Sequence, residues 1–198
     1  GLGAAQYVQG LSTRPAVTPA ALEAAAELAL APFATPAGGR TPENPYTLHS
    51  ELQQSMNDLV GIIRNAGELE QALTRLEEFK DRFAAVAVEG GREYNPGWNL
   101  AVDLRNMLLV SECVAKAALQ RTESRGGHTR DDHPGMDSGW RKTLLVCRVA
   151  DDSAVPDITI TREPQPGMRE DLLELFEISE LEKYYTDQEL AQHPGRRA

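Results

Sequence analysis

The stretch from Trp98 to Arg121 constrains the fold of this chain more than any other segment. Leu100, Ala101, Val102, Leu104, Met107, Leu108, Leu109, Val110, Cys113, Val114, Ala117 and Ala118 nearly encircle a helix of that length. A helix that is apolar all round must be buried on more than one side. Two helical neighbours cover only part of such a surface, so the pattern predicts a further contact beyond them.

Those two neighbours are legible upstream. Asn44-Pro45 reads as a helix start, and Leu48, Leu52, Met56, Leu59 and Ile63 then advance by fours and threes on one face, until Asn65 and Gly67 break the run. A second pattern spans about Glu68 to Val88, with Leu69, Leu73, Leu76, Phe79, Phe83 and Val86 on one side. Glu70, Arg75, Glu77, Glu78, Lys80, Asp81 and Arg82 lie mostly elsewhere and read as a solvated face. Gly90-Gly91 ends it, and Asn95-Pro96-Gly97 turns the chain into the third helix.

The resulting expectation is a mainly α protein: a three-helix antiparallel bundle, spectrin-repeat-like, followed by a β-hairpin and short C-terminal helices. The hairpin strands are Thr143–Val149 and Asp157–Thr161, linked by 150–156. Short helices are expected over Arg169–Phe176 and from Thr186, where Thr186 and Glu189 have capping-box spacing. The tail from His193 reads as frayed. Before the bundle, a leader over 1–17 opens as though in mid-helix, Thr18-Pro19 starts an Ala-rich helix over Ala20–Ala31, and 34–44 is a Pro/Gly-rich loop. The organisation expected is 1–43 leader and short helix, 44–122 bundle, 123–166 motif loop and hairpin, and 167–198 helical tail.

Composition narrows the partners. A net charge of −10 disfavours nucleic acid and anionic lipid surfaces. No apolar run approaches the roughly 18 residues that span a membrane, and no basic-then-apolar leader is present, so no direct membrane insertion and a cytoplasmic location are expected. Cys113 and Cys147 sit in apolar runs and read as buried free thiols.

The segment 123–134, Glu-Ser-Arg-Gly-Gly-His-Thr-Arg-Asp-Asp-His-Pro, holds the densest chemistry. His128, Asp131, Asp132 and His133, with Glu123 nearby, have the residue types of a zinc or manganese site. Arg125 and Arg130 would compete for the same carboxylates, and the favoured reading is a structural or interface loop with Gly126-Gly127 at a tight turn. His49 reads as a surface or capping residue, and Ser111 and Ser124 have no nucleophile context. Asp103, Arg105 and Glu112 are charges in an apolar helix and need partners; an Arg105 ion pair with Asp103, Glu112 or an outside acid is expected. Gly1-Leu2-Gly3-Ala4-Ala5-Gln6 lacks the third glycine and the preceding strand of a dinucleotide loop.

Segment 123–134 resembles the Glu-Ser-Arg-Gly-x-His-x-Arg-x-Asp-x-Pro element of succinate dehydrogenase and fumarate reductase flavoprotein subunits and of L-aspartate oxidase. Glu123, Ser124, Arg125, Gly126, His128, Arg130, Asp132 and Pro134 carry the match. Trp140, Leu104-Arg105-Asn106-Met107, Glu112 and the opening Gly1-Leu2-Gly3-Ala4-Ala5 are similar too, and the order of elements agrees over roughly 44–163. The resemblance implies the C-terminal domain of an FAD-dependent oxidoreductase of electron transport and the tricarboxylic acid cycle. It implies that flavin, hydride transfer and substrate clamping belong to an upstream part. No catalytic, cofactor-binding or metal residue, and no cofactor, is expected within this stretch; FAD is expected in the full-length protein. The partners implied are the flavin-binding domain of its own chain and an iron–sulfur subunit, in a complex on the inner face of the cytoplasmic membrane. Two alternatives stand: the matching domain of L-aspartate oxidase, which needs no iron–sulfur partner, and a free-standing helical adaptor.

Overall fold

The computed structural model describes residues 1–13, 16–150 and 155–191. The Arg14-Pro15 end of the leader, most of the 150–156 connection and the tail from His193 lie outside the described residues. Helices make up about 54% of the described residues, accompanied by a small antiparallel sheet, so the class is mainly α. In order they are α1 (Leu2–Gly10), α2 (Pro19–Leu30), α3 (Pro45–Leu59), α4 (Ala66–Phe83) and α5 (Pro96–Gln120), followed by four single-turn helices: α6 (Ser138–Arg141), α7 (Glu170–Leu173), α8 (Ile178–Leu181) and α9 (Asp187–Leu190).

Asparagine side chains start the three long central helices. Asn44 accepts from Tyr46 N at 2.8 Å, Asn65 from Glu68 N at 3.0 Å and Asn95 from Trp98 N at 3.0 Å. Each satisfies one of the amides a helix leaves orphaned at its start. Pro96 occupies the first helical position, where no amide hydrogen is needed, so α5 begins two residues before the expected Trp98.

α3, α4 and α5 each pack on the other two. Leu48, Leu69, Leu76, Phe79, Ala101, Leu104, Leu108 and Ala115 lie at the centre, at most 1% exposed. Burying each large side chain stabilises by roughly 1.5–3 kcal/mol, so this cluster dominates the fold.

Three sequence expectations need correction. Ile63 is not on the α3 stripe; it is exposed and lies in a two-residue strand, β1 (Ile63–Arg64), parallel to β2 (Thr129–Arg130). Bonds from Thr129 N to Ile62 O (3.3 Å) and from Asp131 N to Arg64 O (3.0 Å) hold this segment extended. α4 ends at Phe83 rather than Val88 because the following residues pair with other chain: Glu43 N reaches Ala85 O at 2.8 Å, and Val88 N reaches Pro32 O at 2.8 Å. β-branched Val86 and Val88 favour that extended backbone. Finally, Lys80 is not on a solvated face; its side chain is 8% exposed and ion-paired.

The hairpin is β3 (Thr143–Val149) antiparallel to β4 (Ile158–Pro164), with Thr143 opposite Pro164 and Val149 opposite Ile158. Both strands pack on α5, supplying part of the further contact its sequence demands. Coverage is incomplete: Val102, Val110 and Val114 are 39%, 62% and 42% exposed. The expected capping box forms at α9, with Thr186 and Glu189 bonding reciprocally. α1 and α2 bury no residue, although Trp98 Nε1 donates to Ala29 O at 2.6 Å and the Trp98 ring meets Phe33 edge-on.

Candidate functional site

The motif loop begins where α5 ends, and its first task is to satisfy the end of that helix. The last carbonyls of an α-helix have no partner within it and carry the negative end of its dipole. Arg130, 1% exposed, folds back beneath them: its Nη1 donates to Ala118 O at 2.8 Å and Leu119 O at 3.0 Å. The other edge of its guanidinium meets Asp132, which in turn accepts from Ala66 N at 2.9 Å. One residue chain thereby joins the C-terminus of α5 to the N-terminus of α4.

Glu123, fully buried, is the second anchor. Arg121 Nη2 lies 2.6 Å and Arg125 Nη2 2.9 Å from its two oxygens, and Asp137 N donates at 2.8 Å. Burial alone would raise its pKa. The bonds from Arg125, Asp137 and Arg121 outweigh burial and hold it down at about 2. Asp132 is likewise held below the usual carboxylate range, chiefly by its bonds to Arg130.

The turn between these anchors is a tight one. Arg125 and His128 exchange backbone bonds of 2.8 and 3.0 Å across Gly126-Gly127. Gly126 has φ +59°, a left-handed conformation that costs a side-chain-bearing residue strain. Ser124 Oγ accepts from Arg130 N at 2.8 Å and donates to His133 O at 2.8 Å, which stitches the two sides of the loop together. His128 Nε2 lies 3.1 Å from Arg121 O, so that nitrogen carries the proton. Burial, with the charges of Arg64, Arg121 and Arg130, lowers its pKa and favours the neutral ring. Pro134 is exposed at the end of the loop. Trp140 is buried beneath it, with Nε1 3.1 Å from Thr122 Oγ1 and the Arg162 guanidinium 4.5 Å above its ring.

The candidate metal ligands of this loop do not converge. Glu123 and Asp132 face arginines, His128 faces a carbonyl, and Asp131 is exposed. Among the described residues, the acids that do converge are Glu77, Glu112 and Asp157. Lys80 Nζ sits among them, 3.1, 2.7 and 2.9 Å away respectively, and supplies the positive charge itself. Burial opposes that charge, but the three carboxylates prevail and raise the Lys80 pKa.

Of the partners expected for Arg105, this cluster takes up Glu112 alone. Its partners are Lys80 and Lys116 rather than Arg105, and Ile158 N donates to it at 3.3 Å. Lys116 also donates to Ile158 O at 2.9 Å, so the first residue of β4 is clamped to α5 through both backbone groups. Cys113 and Cys147 are free but only half-buried, and the two thiols are close enough across the α5–β3 contact for Cys147 to influence the ionisation of Cys113.

Sequence reasoning missed Arg121, Arg64 and Lys80. Arg121 carried a readable signal, since it stands two residues before an acid that must be buried. Arg64 and Lys80 carried none, being brought in by chain pairing and helix packing.

Comparison with known proteins follows this geometry. The sequence model of the fumarate reductase flavoprotein C-terminal family matches residues 49–180. A chain in a solved Mycobacterium smegmatis Sdh1 complex, in the apo form, is 65% identical and superposes with a TM-score of 0.86. The match covers 98% of this chain and 32% of that one. The succinate dehydrogenase flavoprotein subunit of Coxiella burnetii is 35% identical over 108 residues, 54% of this chain and 18% of that protein. The L-aspartate oxidase of Acinetobacter baylyi is 39% identical over 96 residues, 48% of this chain and 17% of that protein. The chain thus spans under a fifth of these two curated relatives and about a third of the solved one. Its helices, motif loop and hairpin belong to the C-terminal domain family of succinate dehydrogenase and fumarate reductase flavoproteins.

Proposed function

We propose that this chain braces an FAD-dependent succinate–fumarate oxidoreductase, holding the flavin-binding part of the full-length protein and helping to dock an iron–sulfur subunit. The observation that carries the reading is the 65% identity, across 98% of this chain, to a chain of an Sdh1 complex. Organisation follows the proposed divisions: 1–43 leaves the flavin part, 44–122 forms a spectrin-repeat-like antiparallel bundle, 123–166 locks it, and 167–198 is the C-terminal tail, whose short helices lie within 167–191.

The motif residues support a structural role. Glu123, Ser124, Arg125, His128, Arg130 and Asp132 spend their polar atoms on one another, on helix ends and on backbone. Such groups position elements; they leave little with which to move a proton or hold a substrate.

The residues here do not fit a flavin. A dinucleotide phosphate needs a strand, a glycine-rich turn and a helix start. Gly1 and Gly3 instead stand at the start of and within α1, and Gly3 does not adopt a left-handed conformation. FAD is therefore assigned to the rest of the full-length protein, and the complex to the inner face of the cytoplasmic membrane. Among the described residues no helix is long and apolar enough to cross a membrane, so other subunits would supply that anchorage.

A chimera tests the reading. This chain replaces the matching segment of the Mycobacterium smegmatis Sdh1 flavoprotein, and flavin content and succinate-dependent dye reduction are measured. Retained flavin and turnover support the reading, whereas a folded chimera that cannot assemble with its iron–sulfur subunit counts against it.

A further inference from the structure

A cavity of about 580 Å³ opens between the motif loop and the base of the hairpin. Arg64, Arg121, Arg125 and Arg141 line it, together with the His128 ring and apolar residues that include Val114 and Leu144. So cationic a wall is unexpected on a chain of net charge −10.

The cationic groups are not equivalent. Arg121 and Arg125 share Glu123, Arg141 has Glu189, and Arg130 behind them has Asp132. Arg64 has no carboxylate partner among the described residues, and its Nε is buried without a hydrogen-bond acceptor. Arginine cannot shed its proton to escape such a place. Burial and the nearby Arg130 charge both work against the Arg64 cation, and its pKa is lowered accordingly. A part-buried charge without a counter-ion is unfavourable, and native structures normally pair it.

From this unpaired guanidinium, the surplus of arginine over acid and the apolar residues in the same lining, we propose that the Arg64 cavity is a binding site for an organic carboxylate. The planar fork of Arg64 matches a carboxylate, and apolar lining such as Val114 and Leu144 accommodates the attached hydrocarbon. The carboxylate comes either from a free organic acid or from an Asp or Glu side chain of another polypeptide segment. This inference stands apart from the bracing role proposed above, because it concerns a ligand and not a fastening.

Trp140 lines the cavity and reports on it by fluorescence. The protein is titrated with acetate and citrate, and separately with a blocked Gly-Glu-Gly peptide, against sodium chloride of equal ionic strength. We expect a saturable fluorescence change, absent with chloride and weakened about tenfold or more in Arg64→Ala, the scale of one lost bidentate contact. Arg64→Lys, which keeps the charge, retains part of the binding and covers the case in which Arg64→Ala folds poorly. Thermal midpoints give a second readout: the carboxylate raises that of the wild type and not that of the Arg64 variant. Saturation by free acids assigns a small-molecule ligand, and saturation by the peptide alone assigns a polypeptide side chain. If neither probe saturates, or if Arg64→Ala and Arg64→Lys both bind as the wild type does, the proposal is overturned.

Discussion

Arg130 and Asp132 meet edge to edge, Nε to Oδ1 and Nη2 to Oδ2 at 2.7 Å each, while the far side of the same guanidinium caps α5. Arg130→Ala would strip the carbonyls of Ala118 and Leu119 of their donor and leave Asp132 unpaired. The expected loss is about 3 kcal/mol or more of unfolding free energy, measured by urea denaturation. Asp132→Asn removes less, because Asp132 is partly exposed and its contribution is screened.

Stability should fall in acid through the same loop. Glu123 has its folded pKa held at about 2, below its ordinary value of 4.5. A depressed carboxylate pKa contributes stability that is present above the unfolded value and lost as pH falls through the folded one. The contribution is on the order of 3 kcal/mol, lost between about pH 5 and 2. Urea midpoints measured from pH 7 to 3 should drop below about pH 4.5. In Glu123→Gln the wild-type drop should shrink, with lower stability at neutral pH.

Glu112 is the pivot between α4, α5 and the hairpin. Glu112→Ala removes the buried partner of Lys80, leaving it only Glu77 and Asp157, and takes away the acid of Lys116; it should cost about 3 kcal/mol, since breaking a buried pair exposes the cost of the remaining charge. Replacing Lys80 and Glu112 together by leucine should cost less than the sum of the single changes. A double-mutant cycle reads this coupling directly. Additivity would show that the cluster is not one unit.

Cys113 offers a chemical probe of the α5–β3 contact. Burial, then the neighbouring Cys147 thiol, pushes the Cys113 pKa up to about 11. The thiolate is the reactive form, so at pH 8 only about one thiol in a thousand is nucleophilic. Iodoacetamide should label Cys113 slowly at pH 8, with the rate climbing steadily towards pH 11. Peptide mapping by mass spectrometry follows the reaction; a rate that levels off near pH 9 would contradict the packing.

Much of this architecture was legible because it repeats. The stripes of α3 and α4, the Asn-Pro starts and the Thr186–Glu189 box are short-range patterns that local physics enforces. The Glu123–Pro134 loop was legible as a motif, and the pairing of its acids with arginines followed from charge alone. Ile63 misled because it fell in step with the α3 stripe, while its conformation is set by pairing with Thr129, far along the chain. Lys80 misled for the same reason: nothing local announces that Glu112 will arrive beside it. The all-round apolar helix was read as needing more than two neighbours; the hairpin supplies one further contact, and Val102, Val110 and Val114 remain exposed.

The most direct test of the account asks whether the motif loop fastens or catalyses. Arg130→Lys is placed in the flavoprotein chimera, and succinate turnover per bound flavin is measured beside the thermal midpoint. The account predicts a lowered midpoint with turnover per flavin unchanged, because Arg130 touches helix ends and Asp132 and nothing that reacts. Turnover per flavin that collapses while the midpoint stays at the wild-type value would contradict it.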